Sequence, residues 1–258
     1  MTKSTPSLDA FNDDEDTARR ATDAIDIIVA ALDYMGVAGS VTRRPNTSDQ
    51  VFALAYGWFA TIVRNGQLVA LAHKHGLRHE CASNARLVLQ HTLALQWIIE
   101  GGDAAFDAVV ASAERHRYDL VKELVDTNWL LPAGFILQAG IKPPKGGALQ
   151  EQFDNFKAMC GLYDGGPQIY VPFRLESASA YPSYTSARAY INVTAAGAPE
   201  PSTTAVSDSF AFLVETGRCV IQGGHAFAPL LTDAALAEAV DKAEAAFGIT
   251  VPLWERLP

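Results

Sequence analysis

The stretch that decides the fold is residues 51–76, VFALAYGWFATIVRNGQLVALAHKHG, in which apolar side chains fall on nearly every side of a helical wheel. A helix that is apolar all round has no face suited to water, so it belongs in the centre of a helical domain. We expect Gly76 to end this helix and treat Asn65-Gly66 as a candidate break within it. The stretch therefore predicts a buried central helix.

Helical periodicity continues on both sides of this stretch. Apolar residues follow i, i+3, i+4 spacing from Ala18 to Met35, and further helices are predicted over residues 80–100 and 103–132, joined by Gly101-Gly102. Short glycine turns between long helices are typical of antiparallel neighbours in a bundle. Two more helices are predicted beyond residue 206, and no alternating strand pattern of useful length competes with them. The predicted fold class is all-α, a helical bundle of long antiparallel helices with additional C-terminal helices.

The domain organisation follows from composition along the chain. Residues 1–16 form an acidic tail that we expect to be disordered, and residues 17–258 form a single all-helical domain. Within that domain, residues 195–205 are predicted as a loop or linker, and residues 162–173 are predicted as turns. A helix is predicted over residues 182–193, with its proline in the first turn.

Composition bounds the class of protein. The chain has 258 residues, 49% of them hydrophobic, which is enough for a full core. Its three cysteines lie far apart in sequence, and its start lacks the basic and apolar regions of a signal peptide, so we expect a cytoplasmic protein. No run reaches the ~18 apolar residues of a spanning helix, so no membrane association is expected. A net charge of −9 opposes a large non-specific nucleic-acid surface and leaves room only for a local basic site.

Arg86 and His91 carry the clearest chemical signal, with four residues between them in the helix predicted over residues 80–100. A His can take or give a proton near neutral pH, and the planar Arg guanidinium can bind two phosphate oxygens at once. Five residues at ~100° each place the two side chains ~140° apart around a regular helix. We therefore expect a shared site to need a helix end, a distortion or a second protomer.

The Arg86-x4-His91 pair, set among long apolar helices, resembles the HEPN (higher eukaryotes and prokaryotes nucleotide-binding) superfamily, whose nuclease members carry an Arg-x4-6-His motif. This resemblance implies metal-independent RNA cleavage, in which the 2′-hydroxyl attacks the adjacent phosphate. It assigns proton transfer to His91 and phosphate binding to Arg86, and it requires no cofactor and no metal. Such a protein would be an RNA endonuclease acting as a toxin or as a defence effector.

A wider match concerns residues 76–98, GLRHECASNARLVLQHTLALQWI, followed by residues 174–191, RLESASAYPSYTSARAYI. The two stretches look like a bacterial group of unknown function with related helical architecture. In that group we expect an Arg-x3-Glu pair on the central helix and a later Ser-x3-His-Pro-Ser. Here Gln90 stands at the Glu position and Tyr181 at the His position. The resemblance extends over residues 50–195.

The same residues allow interpretations other than a nuclease site. His91 is in line with apolar residues, so it can be a hydrogen-bonded core histidine, and Arg86 can be a buried cation satisfied by a carboxylate. The protein would then be a non-catalytic helical scaffold that binds a partner. A metal-dependent enzyme would need the His and Cys residues between His73 and Cys81, but Gly76 interrupts their helical spacing, so no metal site is predicted. Because helices this apolar often complete their burial against a second copy, a homodimer is also expected.

Overall fold

The computed structural model describes residues 14–38, 41–129, 143, 146–205 and 209–258. These residues form nine α-helices, one 3₁₀ turn and a two-stranded sheet, in the following order: α1 (Glu15–Ala38), α2 (Asp49–Lys74), α3 (Ala82–Asp126), α4 (Ala148–Asp154), α5 (Phe156–Cys160), α6 (Gly166–Ala180), α7 (Tyr184–Arg188), β1 (Ile191–Val193), β2 (Pro199–Pro201), α8 (Ala211–Phe227), the 3₁₀ turn Ala228–Leu230, and α9 (Ala235–Phe247). The predicted all-α bundle is confirmed. No helix of the described part combines the length and apolar character that crossing a bilayer requires.

The N-terminal helix starts slightly earlier than predicted. Helix α1 begins at Glu15, inside the predicted tail, because the Asp14 carboxylate accepts a hydrogen bond from the Thr17 backbone N–H at 2.8 Å. An acidic side chain at this position accepts a hydrogen bond from an otherwise unpaired N–H. Its negative charge also interacts favourably with the positive end of the helix dipole. Residues 1–13 of the predicted tail lie outside the described residues.

Helix α2 corresponds to the predicted central helix and is capped by Ser48, whose hydroxyl accepts from the Val51 N–H at 3.2 Å. It is not buried on all sides as predicted, because Leu68 and Leu71 are 52% and 46% exposed. The predicted break at Asn65-Gly66 is wrong, because the helix runs through both residues. Gly66 is buried against α8, and a Cβ placed on it would lie 2.6 Å from Cγ2 of Val220. The glycine therefore allows α2 and α8 to pack closely. This packing offsets the low helix propensity of glycine.

Helix α3 corresponds to the two helices predicted over residues 80–100 and 103–132. The predicted break at Gly101-Gly102 is a kink, since Gly102 has a φ of 58° and a ψ of −143° inside the continuous element. The half of α3 before the kink is largely buried and packs along α2, α8 and α6, whereas most of the half after the kink is exposed. The predicted end at Pro132 lies outside the described residues.

The segment between α3 and α8 departs most from prediction. Residues 162–173, predicted as turns, include the start of α6, because Pro167 in the first helical turn loses no hydrogen bond there. The helix predicted over residues 182–193 is only the single turn α7, followed by β1. Strand β1 pairs antiparallel with β2, so residues 195–205 contain the hairpin turn and the second strand.

Helix α8 completes the core on the other side. It packs against α1, α2, α3 and α9, and most of its residues are buried. The chain after α9 returns to α3, where the Gln96 amide donates to the Trp254 carbonyl at 2.7 Å and accepts from its N–H at 3.2 Å. These contacts fix α3 between α2, α8 and the C-terminal segment, which holds its remaining face towards α5 and α6.

Candidate functional site

A cleft of about 560 Å³ opens between α2, α3 and the segment from α4 to α6. Both residues predicted to be catalytic, Arg86 and His91, line it. The other lining residues are Trp58, Gln90, Ala94, Phe153, Asp154, Asn155, Phe156, Lys157, Met159, Tyr170 and Phe173. The cleft is within the size range of small-molecule sites, and its lining combines five Phe, Tyr and Trp rings with six polar or charged side chains.

The wall that α3 contributes is a broad arc of the helix. Relative to Arg86, the positions of Gln90, Ala94 and His91 lie at ~40°, ~80° and ~140° around a helix of ~100° per residue. The only non-helical residue within α3 is Gly102, well beyond this arc. Arg86 and His91 thus reach one cleft from the two edges of the arc, so neither a distorted helix nor a second protomer is needed.

Arg86 is held by α6 and the residue that follows it. Its guanidinium carbon lies 4.7 Å from the centre of the Phe173 ring and 4.8 Å from that of Tyr181, and it donates a hydrogen bond to the Tyr181 hydroxyl. Aromatic faces attract a cation without neutralising it. No ion pair between Arg86 and a carboxylate occurs in the part of the chain that the structure describes. The predicted alternative, a cation satisfied by a neighbouring carboxylate, is therefore not what holds Arg86.

His91 has a defined tautomer in this structure. Its Nδ1 lies 2.8 Å from the carbonyl oxygen of Leu87, and since a carbonyl can only accept, Nδ1 carries the hydrogen. The ring is half-buried, and it packs edge-on against Trp58 with the centroids 6.4 Å apart. In the neutral ring Nε2 is then the nitrogen that can take up a proton.

Two groups of stacked aromatic rings form the remaining walls. On one side Trp58 and Phe153 stack with centroids 5.9 Å apart and their planes inclined by 10°. On the other side Phe173 packs against Tyr170 at 5.6 Å and against Phe156 at 4.5 Å. All of these rings are only partly buried, so each keeps exposed surface next to the cleft.

The charged groups at the cleft are mixed in sign. Lys157 adds a second permanent cation, and its ammonium lies 5.8 Å above the Tyr170 ring. The carboxylate of Asp154 is engaged by the Ser112 hydroxyl and, at 3.4 Å, by the Gln150 amide. Both protein donors compete with any ligand for Asp154. The cleft therefore presents more available positive charge than negative charge to a bound molecule.

Glu176 is a residue that sequence reasoning missed. It lies on α6 one turn after Phe173, its side chain is 1% exposed, and its Oε2 has no hydrogen-bond partner. Burial raises the pKa of this carboxyl to about 8, with a further contribution from the nearby Glu215, while Arg86 and Arg218 act in the opposite direction. We therefore expect the side chain to be mainly the uncharged acid near neutral pH.

Beside this group, α8 carries a conventional ion pair. Arg218 donates to Glu215 through Nε at 2.9 Å and through a second guanidinium nitrogen, and to the Gln222 amide oxygen at 3.1 Å. Burial lowers the pKa of Arg218, but the Glu215 carboxylate more than offsets this and the net direction is upward. Arg218 is therefore a fully paired cation one layer away from Arg86.

Candidate residues elsewhere do not assemble into a metal or thiol site in the described residues. His73 stacks on Phe210, His79 packs edge-on against Tyr190, and the Cys81 thiol donates to the Arg78 carbonyl at 3.1 Å. No group of three or more His, Cys, Asp or Glu side chains suited to a metal ion occurs among the residues described. Burial raises the pKa of Cys81 and of Cys160 to about 12 and raises the pKa of Cys219 well above its ordinary value, which makes each thiol a poor nucleophile.

The two stretches that carried the family resemblance meet in space. Tyr181, at the position of the expected His, accepts through its hydroxyl the hydrogen bond of Arg86, which is 95 residues away in the chain. Gln90, at the position of the expected Glu, lines the cleft next to them. Comparison with known proteins adds no relative, since no protein-family model, no curated protein and no solved structure matches this chain.

Proposed function

We propose that this protein is a HEPN-like, metal-independent RNA endonuclease whose active site is the cleft lined by Arg86 and His91. The observation that carries the proposal is their position on one cleft of a single chain, although the motif alone places them on different sides of α3. The two side chains supply the two functions that such cleavage requires. His91 can move a proton, and Arg86 can bind the phosphate oxygens on which negative charge develops.

The reaction follows from these two groups. Nε2 of His91 takes the proton of the RNA 2′-hydroxyl, whose oxygen attacks the adjacent phosphorus. Arg86 binds the non-bridging phosphate oxygens as their negative charge increases. The bond from phosphorus to the 5′-oxygen breaks, a 2′,3′-cyclic phosphate forms, and the leaving oxygen takes a proton from solvent. None of these steps uses a metal ion.

The walls of the cleft support a single-stranded substrate. Half-exposed rings such as Tyr170 and Trp58 give surfaces on which unpaired bases can stack, a contact worth ~1–3 kcal/mol per base. Lys157 can contact a neighbouring phosphate. Paired bases cannot present their faces in this way, so we expect loops and single strands to be preferred to duplex RNA.

A second candidate function is binding without cleavage, as a helical scaffold for a nucleic acid or a partner protein. It is favoured by the way Arg86 is held, between two aromatic rings and bonded to Tyr181, and by Gln90 at the position of the expected Glu. Both functions use the same cleft. They differ only in whether bound RNA is cut.

The test is cleavage of single-stranded RNA in EDTA by the wild-type protein and by two variants. We expect the wild type to cut RNA and His91→Gln to lose ~10²–10⁴-fold in rate, because proton transfer is removed. Arg86→Lys should also fail, because an ammonium cannot reproduce the planar fork. Matched controls are His116→Gln and Arg117→Lys, exposed residues on the second half of α3, which should cut RNA like the wild type.

Folding has to be separated from chemistry in this test. Each variant should keep the helical circular dichroism and the melting temperature of the wild type. Wild-type protein that binds single-stranded RNA but leaves it intact would favour the scaffold over the nuclease. Wild-type protein that cuts RNA only when a divalent metal is added would contradict the mechanism.

The proposed setting is the cytoplasm, where a toxin or defence effector would meet RNA. All three cysteines are free and buried, a state that fits a reducing compartment. We also retain a homodimer as part of the proposal, supported by Val171 and Leu175, which lie one turn apart on α6 and are 55% and 62% exposed.

A further inference from the structure

Helix α6 and the residue that follows it place Phe173, Tyr181 and Glu176 near Arg86. Phe173 and Glu176 are three residues apart and so share a face of the helix, and Tyr181 follows its C-terminal end. Phe173 and Tyr181 contact the guanidinium directly, and the charge of Arg86 acts on the Glu176 carboxyl. Arg86 thus lines the cleft and also interacts with a buried carboxyl.

Helix α8 closes the buried side with a set of polar residues at i, i+3, i+4 and i+7 spacing, namely Glu215, Arg218, Cys219 and Gln222. The Cys219 thiol donates weakly to Glu215 at 3.6 Å, and Gln222 accepts from Arg218. Cys81, just before α3, is also close enough to Glu176 for their charges to interact. Among the described residues, the titratable and charged groups that interact with Glu176 are thus Arg86, Glu215, Arg218, Cys219 and Cys81.

The charges of this cluster balance only if Glu176 is counted as ionised. Arg218 is neutralised by Glu215 through two hydrogen bonds. Arg86 has no such pair, and both its Nε and the Oε2 of Glu176 are buried without a partner. With Glu176 protonated, the cluster carries one positive charge more than negative charge, and that charge is on the guanidinium that lines the cleft.

We propose that Glu176 is a positioning residue for Arg86. As long as the Glu176 carboxyl is uncharged, the Arg86 guanidinium is free to bind a phosphodiester. Ionisation of Glu176 places a negative charge beside the guanidinium and lowers its attraction for an anion. Anion binding in turn holds Glu176 in its protonated form. The proposal rests on the cleft binding phosphodiesters, as the proposed function states, but not on cleavage.

The probe for this proposal is the dinucleotide d(ApA), which lacks a 2′-hydroxyl and cannot be cut. Its adenines and phosphodiester do not titrate between about pH 7 and about pH 9, so a change in affinity belongs to the protein. By calorimetry, we expect the wild-type protein to lose about threefold or more in affinity over this interval. Glu176→Gln should bind equally well at both pH values, because its amide stays neutral. The matched control Glu114→Gln, an exposed residue on α3, should follow the wild type.

A carbon-13 NMR titration of the Glu176 carboxyl in the wild-type protein provides a second readout that needs no variant to fold. Saturating d(ApA) should raise its titration midpoint. A midpoint that d(ApA) leaves unchanged, or wild-type and Glu176→Gln proteins with the same pH dependence of affinity, would overturn the role of Glu176 and leave the proposed function standing. Absence of d(ApA) binding at both pH values would overturn both.

Discussion

Arg86 and Arg218 lie on neighbouring helices around the same buried carboxyl, and they are held in opposite ways. Arg218 is bonded twice to Glu215, with both side chains mostly buried, at 24% and 15% exposure. Arg86 is bonded to a neutral hydroxyl and lies between two aromatic rings. A carboxylate thus neutralises Arg218 within the fold, whereas the neutral groups around Arg86 leave its positive charge uncompensated.

The largest expected effect follows from removing each cation in turn. Arg218→Met leaves Glu215 charged and unpaired, which typically costs ~3–5 kcal/mol for a buried pair. Arg86→Met leaves no unpaired charge if Glu176 is neutral, so its cost should be less than half as large. Chemical denaturation of the two variants at neutral pH measures both free energies of unfolding. Equal losses would mean that Glu176 is ionised and already pairs with Arg86.

A smaller effect on the free energy of unfolding is expected from pH. It tests whether the buried carboxyl near the two arginines, Glu176, is uncharged. Burial raises the pKa of Glu176 to about 8, so its contribution to stability is complete below its ordinary value near 4.5 and is lost as pH rises through about 8. Between about pH 6 and about pH 9, the wild type should lose at least ~1 kcal/mol of unfolding free energy relative to Glu176→Gln. Denaturation of both proteins across this interval gives the difference. A difference that stays constant with pH would contradict a neutral Glu176 at pH 7.

The local patterns in the sequence predicted the long helices well, because periodicity and glycine positions are properties of neighbouring residues. The span of α2, the interruption at Gly101-Gly102 and the two helices beyond residue 206 follow from such signals. Gly66 was misinterpreted as a break because its role depends on Val220 in a distant helix. The strands of the hairpin have three residues each, too few for a period of two to be recognised.

The candidate site was predictable only in part, for a related reason. Arg86 and His91 stand out by residue type and spacing, but the motif gave no indication that a broad arc of α3 would face one cleft. The contact of Arg86 with Tyr181 arises from the packing of α6 on α3, and the buried Glu176 comes within electrostatic reach of Glu215 and Arg218 on α8. Because the start of α6 was predicted as turns, no pattern in the sequence singled out Glu176.

The central claim is that the cleft cleaves RNA through the 2′-hydroxyl without a metal, and the most direct test uses a DNA oligonucleotide that contains a single ribonucleotide. In EDTA, we expect cleavage on the 3′ side of that ribonucleotide alone, with a 2′,3′-cyclic phosphate on the product by mass spectrometry. The all-DNA oligonucleotide should remain intact. Cleavage of the all-DNA strand, cleavage at other positions, or cleavage that requires added metal would contradict the account.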